Sequence, residues 1–597
     1  MVWPFVAAAL TINLFICFAL YGFISRGDRL MSHDFIDPDD DNSDPNPEDR
    51  SATAAPKTDL KTVPPNPVPH DGRRIWMDVV VGLALLFFLS MALSVQVVRM
   101  ERVPALDNAA RNLAAAGATF MAGVIGFGWL CLISPFPGKT RAALGALGLA
   151  TFAGLCASLR VSEVSGDMVP KFRWAWEQPA DFGLKNDQGT GAIKSLVPGP
   201  LDFPSYFGPT SNGFVDTVEL DTDWSDLKIA WKKPIGRGWS GFSAVDGHAF
   251  TMEQRGLQEQ VTCYEIHTGR LVWRHSLELR HTTTLGGVGP RSTPTLAQGS
   301  LYALGATGVL RCLDASSGAI IWKVDIPKLV NISPEEEISQ IAWGRSNSPL
   351  VVDDLVVIPA GGPIDGTKHS LIAFDRKTGV ERCRGGDRNP GYSSPLVATL
   401  HDVRQIVSVN EDTISGHDIE NGNTYWEVEW PGKSNANAST SQPHVLDKRL
   451  LITKGYGAGM ALFDFSKTGE QWESHQRYQK PNYLKTKLTS VVVRDKHVYG
   501  LSDGILECVR IEDGKRAWKV GEGRFGHGQV LLVGDKILVL GDGGELALLA
   551  ADPAGFHEFN RIEVFSSKTW NNLCLYGRYL LIRNAEEAAC VELPVVE

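Results

Sequence analysis

One short pattern recurs along the last two-thirds of the chain and constrains its fold more than any other feature. The clearest copies are CYEIHTGRLVW ending at Trp273, CLDASSGAIIW ending at Trp322 and CVRIEDGKRAW ending at Trp518. Weaker copies are AFDRKTGVERC ending at Cys383, GHDIENGNTYW at Trp426, LFDFSKTGEQW at Trp472 and LLAADPAGFHEF at Phe559. Each copy predicts a β-strand, a tight turn and a second strand that ends in a large aromatic. Gly269, Gly318, Gly379, Gly422, Gly469 and Gly514 stand at the turn, where positive φ is needed. A repeat at this spacing marks the blades of a β-propeller, in which each indole packs on a neighbouring blade and no unit is stable alone.

The terminal copy is incomplete. LLIRNAEEAACVEL places Cys590 where Cys263, Cys312 and Cys508 stand in other copies, but the chain stops before an aromatic strand. DLKIAWKKPIG around Trp231 supplies that strand from upstream. Pairing the two removes both open edges and gives eight blades; without it the count is seven. The four cysteines share one repeat position in different blades, so they are expected to be small buried hydrophobes without disulfides.

A net charge of −10 and the lack of any Lys/Arg run interleaved with aromatics leave no footprint for nucleic acid. The nine cysteines form no CxxC pair, no metal-ligand cluster and no CxxCH haem site. GxSxG, HExxH and GxxxxGKS motifs are likewise missing. Glu265, Asp314, Asp375, Asp418 and Asp464 follow the repeat period and are expected to accept hydrogen bonds in turns. No metal ligand is assigned from sequence.

The first third predicts a membrane region. Val2–Ile24, Ile75–Val98, Leu113–Ile133 and Ala142–Leu159 are each apolar over a length that can cross a hydrocarbon layer of about 30 Å. A signal peptide is the alternative for the first, although no basic flank precedes it. Asp78 in the second is expected near water. Arg26, Arg29, Arg73, Arg74, Lys139 and Arg141 bias the first and third loops inward, against Arg99, Arg102 and Arg111 in the second. The expected organisation is a transmembrane helix at 1–24, an acidic Pro-rich disordered loop at 25–74, three further transmembrane helices at 75–160 and a linker at 161–200. An eight-bladed, all-β propeller follows at 201–597, on the extracytoplasmic, periplasmic side of the cytoplasmic membrane.

The unit containing Asp314, Ala315, Gly318 and Trp322 resembles the tryptophan-docking repeat of the pyrroloquinoline-quinone (PQQ)-like propeller superfamily, and DFPSYFGPTSNG (Asp202–Gly213) resembles its lead-in. That resemblance implies the fold. For activity it implies two different things, because the superfamily holds PQQ-dependent alcohol and sugar dehydrogenases and also a non-enzymatic lipoprotein of outer-membrane assembly. Membrane-bound quinoprotein glucose dehydrogenases share the order of helices then propeller. The adjacent cysteine pair of several such enzymes is absent here.

Aligning the blades places eight segments at the starts of the innermost strands: GWSGF, PRSTP, GRSNSP, GYSSP, STSQP, KLTS, FGHG and KTWNN. They nominate Arg291, Arg345, Lys487 and His527 as cationic groups. Ser348, Ser394, Thr440 and Gln442 supply hydrogen bonds, and Trp239, Tyr392 and Trp570 offer flat surfaces. Such a channel suits a planar tricarboxylate such as PQQ, with calcium, or an acidic peptide segment. Structural strand entry is the competing role for the Ser and Pro positions. The expectation is a membrane-anchored propeller that binds a protein partner or a small acidic ligand without catalysis; the alternative is a PQQ-dependent alcohol or sugar dehydrogenase that reduces membrane quinone.

Overall fold

The computed structural model describes residues 71–97, 108–184, 189, 191–194, 196–284, 286–433 and 437–596. The predicted span Val2–Ile24 and the loop up to residue 70 lie outside the described residues. The described chain falls into two compact units, one built from the apolar helices and one from the β-structure.

The helical unit contains α1 (Asp71–Val97) and most of α2 (Asn108–Leu132) and α3 (Gly138–Ser158). Each is long and apolar enough to cross a membrane, and their large side chains point outward, as expected of residues solvated by lipid. Asp78 accepts a 2.7 Å hydrogen bond from the Trp129 indole. This partner lowers the cost of a carboxyl group in an apolar helix.

The β-unit opens with a hairpin, β1 (Leu159–Val164) and β2 (Pro170–Trp174), which begins in the last two residues of the stretch expected to span the membrane and continues into the one read from sequence as a linker. Eight four-stranded antiparallel blades follow. Blades 1 to 7 begin with inner strands at Ser243–Val245, Thr295–Ala297, Leu350–Val352, Leu396–Leu400, His444–Leu446, Val492–Arg494 and Gln529–Val533. Blade 8 combines Cys574–Tyr576, Tyr579–Arg583 and Glu587–Glu592 with Lys228–Pro234 from upstream, and Trp231 pairs directly with Cys590. The expected closure is therefore the observed one, and eight is the blade count. A parallel strand, Phe214–Val215, adds to the innermost strand of blade 7, and Phe203 and Phe207 of the lead-in are buried in two of the apolar clusters of the ring.

The repeated glycines and tryptophans explain each other. Trp273 donates its indole N–H to Ala315 O of the next blade, and its ring lies against Gly318, whose φ is +71°. Trp231 stands in the same relation to Ile266 O and Gly269, and Trp322 to Arg376 O and Gly379. A side chain at these turns would meet both the strained backbone and the indole. Cys263, Cys312, Cys508 and Cys590 are fully buried and unpaired.

Two docking aromatics differ from expectation. In blade 5 the last two strands extend to ten residues each, so Trp472 pairs with Lys467 near the hairpin tip and Tyr478 takes the docking position. The Tyr478 hydroxyl donates to Ile511 O and its ring borders Gly514. In blade 7 the register places Asn560, not Phe559, opposite Leu548 just before the bulge.

Candidate functional site

All eight nominated segments directly precede an innermost strand, so they gather at one end of the channel. Most of their small polar groups link neighbouring blades. Thr293 Oγ1 accepts from Gly241 N, Ser348 Oγ from Thr293 N, and Ser394 Oγ from Ser348 N. Gln442 Oε1 accepts from Ser394 N, and Ser490 Oγ from Gln442 N. Gln529 Nε2 then bridges Leu488 O and Trp570 O, and Asn571 Nδ2 reaches Gly238 O and Ser240 O, which returns the belt to blade 1. Strand starts have unpaired backbone groups, and this belt satisfies them around the ring.

The larger side chains form two groups. In the first, the Trp239 and Trp570 rings lie 5.0 Å apart at 40°, with Lys568 Nζ over both, 4.7 and 4.2 Å from the centroids. Glu163 from β1 enters this corner, 3.2 Å from Lys568 and 3.2 Å from Arg237. Burial opposes the charged form of Glu163, but Lys568 and Arg237 outweigh it and hold the carboxyl below its usual range. Burial also pulls the Lys568 ammonium below its usual value, against the pull of Glu163.

Arg291 borders this group, donating to the carbonyls of Gly286, Gly287 and Gly289, while Trp239 Nε1 donates to the same Gly286 O. Tyr392 is buried and its hydroxyl accepts from Trp343 N. Arg345 is fully buried elsewhere: it forms a forked pair with Glu337 and donates to Pro359 O and Ala360 O. Glu337 belongs to a helix, Pro334–Gln340, inserted between blades 2 and 3.

The second group contains His527, Lys487 and Thr440, whose hydroxyl donates to Lys487 O. Two carboxylates that the repeat does not reveal join it. Asp167, in the β1–β2 turn, meets His527 Nε2 at 3.0 Å, and Asp503 comes from the turn between the second and third strands of blade 6. One ligand atom of each of Asp167, Asp503 and His527 lies within 4.8 Å of the others, a spacing at which one ion can be shared. Asp503 is 1% exposed, and its Oδ1 is buried without a hydrogen-bond partner. Lys485 and Lys487 stand 3.5 and 3.9 Å from its two oxygens. The structure thus supplies a metal-capable donor set where sequence reading assigned none. Two carboxylates and an imidazole fit a divalent cation, with other positions open to ligand oxygens; an all-oxygen shell typical of calcium is not formed by these three alone.

Burial raises Asp542, whose Oδ2 accepts from His527 N, above the usual aspartate value. Burial also raises the nearby Glu545, but it is Asp542 that borders the donor set, through the His527 backbone. No sequence motif marks Asp167, Asp503 or Glu163. Two of the three lie in the hairpin outside the repeat, and their role follows only from tertiary contact.

A family profile described as outer membrane protein assembly factor BamB matches residues 257–520. Tetrathionate hydrolase of Acidithiobacillus ferrooxidans is 26% identical over 198 residues, 32% of this chain and 36% of that protein. The dehydrogenase subunit of alcohol dehydrogenase (quinone) from Gluconacetobacter polyoxogenes is 25% identical over 210 residues, 32% of this chain and 27% of its own. The matches therefore span about a third of those relatives' lengths. Among solved structures, BamB from Moraxella catarrhalis aligns at 17% identity with a TM-score of 0.45, over 62% of this chain and 100% of that one. A europium-containing methanol dehydrogenase aligns at 11% identity and a TM-score of 0.49, over 66% and 98%. The family profile matches within the propeller. These findings correct the expectation of a non-catalytic binding module: the curated relatives are enzymes, quinone-linked dehydrogenase subunits among them, and the channel end holds an Asp/Asp/His donor set.

Proposed function

We propose that the chain is a membrane-anchored quinoprotein oxidoreductase that uses PQQ and a divalent cation to oxidise an alcohol or sugar and delivers the electrons to membrane quinone, with the propeller on the extracytoplasmic side. The observation that carries the reading is the Asp167, Asp503 and His527 set beside a cationic, aromatic corner, in a chain of which about a third matches quinone-linked dehydrogenase subunits.

The residues divide the work by chemistry. Lys568 and Arg237 are the cations available to ligand carboxylates, and Trp239 and Trp570 offer a flat apolar surface to a fused ring. Asp167, Asp503 and His527 would hold the cation. PQQ supplies a two-electron acceptor when bound. Asp542, with its raised proton affinity, takes the hydroxyl proton of the substrate. Arg291 and Tyr392 shape the aromatic corner, Lys487 and Thr440 border the metal-capable set, and Arg345, Ser348, Ser394 and Gln442 hold the surrounding wall.

Two features set the terms of binding. Glu163 already engages Arg237 and Lys568, so it competes with ligand carboxylates for them. Lys485 and Lys487 sit beside Asp503 and repel a lone cation, so cation and anionic cofactor bind more tightly together than apart.

The test uses the full chain purified in detergent and supplied with PQQ and calcium, magnesium or manganese. Substrate-dependent reduction of an artificial dye across a panel of alcohols and sugars is expected, and Asp503→Asn should abolish it. A folded protein that reduces no dye with any of these additions rejects the assignment.

A further inference from the structure

The β1–β2 hairpin has two chemically different sides, and only one of them is used by the propeller. Glu163 and Asp167 reach the channel end, as described above. In the register of the hairpin, Leu159 stands opposite Trp174 and Val161 opposite Phe172, whereas Arg160 stands opposite Arg173. Directly opposed residues project to the same side of a ribbon, so one face is apolar and the other charged, where Glu163 stands opposite Lys171. The apolar face is not covered by the ring: Val161 is 43% exposed and Trp174 48%. Trp176 follows at 70% exposure and stacks on Trp174, with ring centroids 5.0 Å apart and planes 12° apart.

Two adjacent exposed tryptophans are costly in water and are characteristic of a side chain placed at a lipid headgroup boundary, where the ring is apolar and the indole N–H stays hydrated. The chain's own connectivity brings a boundary to this point. The last residue of α3 is Ser158 and β1 begins at Leu159. The joint is tied by hydrogen bonds: Arg160 donates to Cys156 O and Ala157 O, and Ala175 N donates to Ser158 O. The hairpin therefore starts where a candidate span ends.

We infer that the face formed by Val161, Trp174 and Trp176 lies in the headgroup boundary of the bilayer, so that the hairpin bears on lipid with one side and on the propeller channel with the other. This rests on reading α1–α3 as membrane-spanning, and not on the dehydrogenase assignment.

The experiment reconstitutes the full chain in phosphatidylethanolamine–phosphatidylglycerol vesicles containing lipids brominated near the headgroup or near the chain end. Bromine quenches tryptophan fluorescence only on close approach. Trp174→Phe/Trp176→Phe is expected to lose a large part of the quenching by headgroup-proximal bromine, leaving the part contributed by Trp76 and Trp129, which stand at the ends of their spans. Trp472→Phe, on the outer strand of blade 5, is expected to leave both unchanged. Equal shallow quenching in the double variant and the parent overturns the inference, and so does a two-copy particle in which Trp174 and Trp176 are shielded from bromine. Failure of the protein to enter vesicles at all would instead count against the membrane-spanning reading on which the inference stands. Trp176→Phe alone, at the more exposed site, keeps the test available should the double variant misfold, with a partial loss of shallow quenching expected.

Discussion

His527 Nε2 and Asp167 Oδ1 meet at 3.0 Å although 360 residues separate them along the chain. The contact fixes the tip of the β1–β2 hairpin to blade 7, and with Glu163 between Arg237 and Lys568 it makes the hairpin part of the channel end.

The pH dependence of that docking follows from the carboxylates. Burial disfavours the charged form of Asp167, but the hydrogen bond and charge of His527, with Lys487 and Arg524, hold its carboxyl below the ordinary value of about 3.9. Glu163 is depressed as well. A depressed carboxylate contributes stability that is complete above its unfolded value and is lost as pH falls through its folded value. Hydrogen exchange of residues 159–174 should therefore stay slow between pH 7 and pH 5, in roughly constant measure after correction for intrinsic rates, and quicken below about pH 4. A loss of protection centred well above pH 5 would contradict this assignment of the contacts.

Ring closure gives a second expectation. Trp231→Ala removes an indole that packs on Gly269 and donates to Ile266 O, in the blade that joins the chain ends. The loss should be about 3 kcal/mol in denaturant unfolding. Trp472→Ala, at a hairpin tip and outside the docking position, should cost about 1 kcal/mol or less. Equal effects would mean that the docking geometry is not what stabilises the ring.

This contrast also shows what the sequence can express. The pairing of Trp231 with Cys590 was legible because both obey the repeat, and a repeat reports local strand pairing wherever it occurs. Tyr478 was hidden because the blade 5 hairpin is longer than its siblings, which moves the docking position away from the aligned tryptophan. Arg345 belongs to an aligned segment, but its partner Glu337 comes from an inserted helix that no other blade has. Asp167 and Glu163 lie outside the repeat altogether, so their place depends on how the hairpin docks. Asp503 lies within a blade, in the turn between the second and third strands where blade 7 carries Asp542, but the aligned repeat does not reach that turn.

The competition between Glu163 and ligand carboxylates predicts opposite signs for two substitutions. Lys568→Met should weaken PQQ retention by about 2 kcal/mol, or roughly thirtyfold, through loss of a buried cationic partner. Glu163→Gln should strengthen retention, because it removes the resident carboxylate from Arg237 and Lys568 while keeping its size. Titration by the absorbance of the bound cofactor reads both; weakening in both variants would contradict the competition.

Coupling between cation and cofactor is measurable by calorimetry. Lys485 and Lys487 offset the charge of Asp503, so manganese alone should bind weakly and PQQ should raise its affinity by about tenfold or more. Asp503→Asn should remove the high-affinity component. An affinity for manganese that is independent of PQQ would separate the two sites.

The most direct measurement is the amount of PQQ that stays with the full-length, detergent-purified chain after gel filtration in the presence of a divalent cation. The account predicts retention of cofactor in proportion to protein, lost on chelation and lost in Asp503→Asn. A folded protein that emerges free of cofactor, with PQQ and cation both supplied in excess, would contradict it.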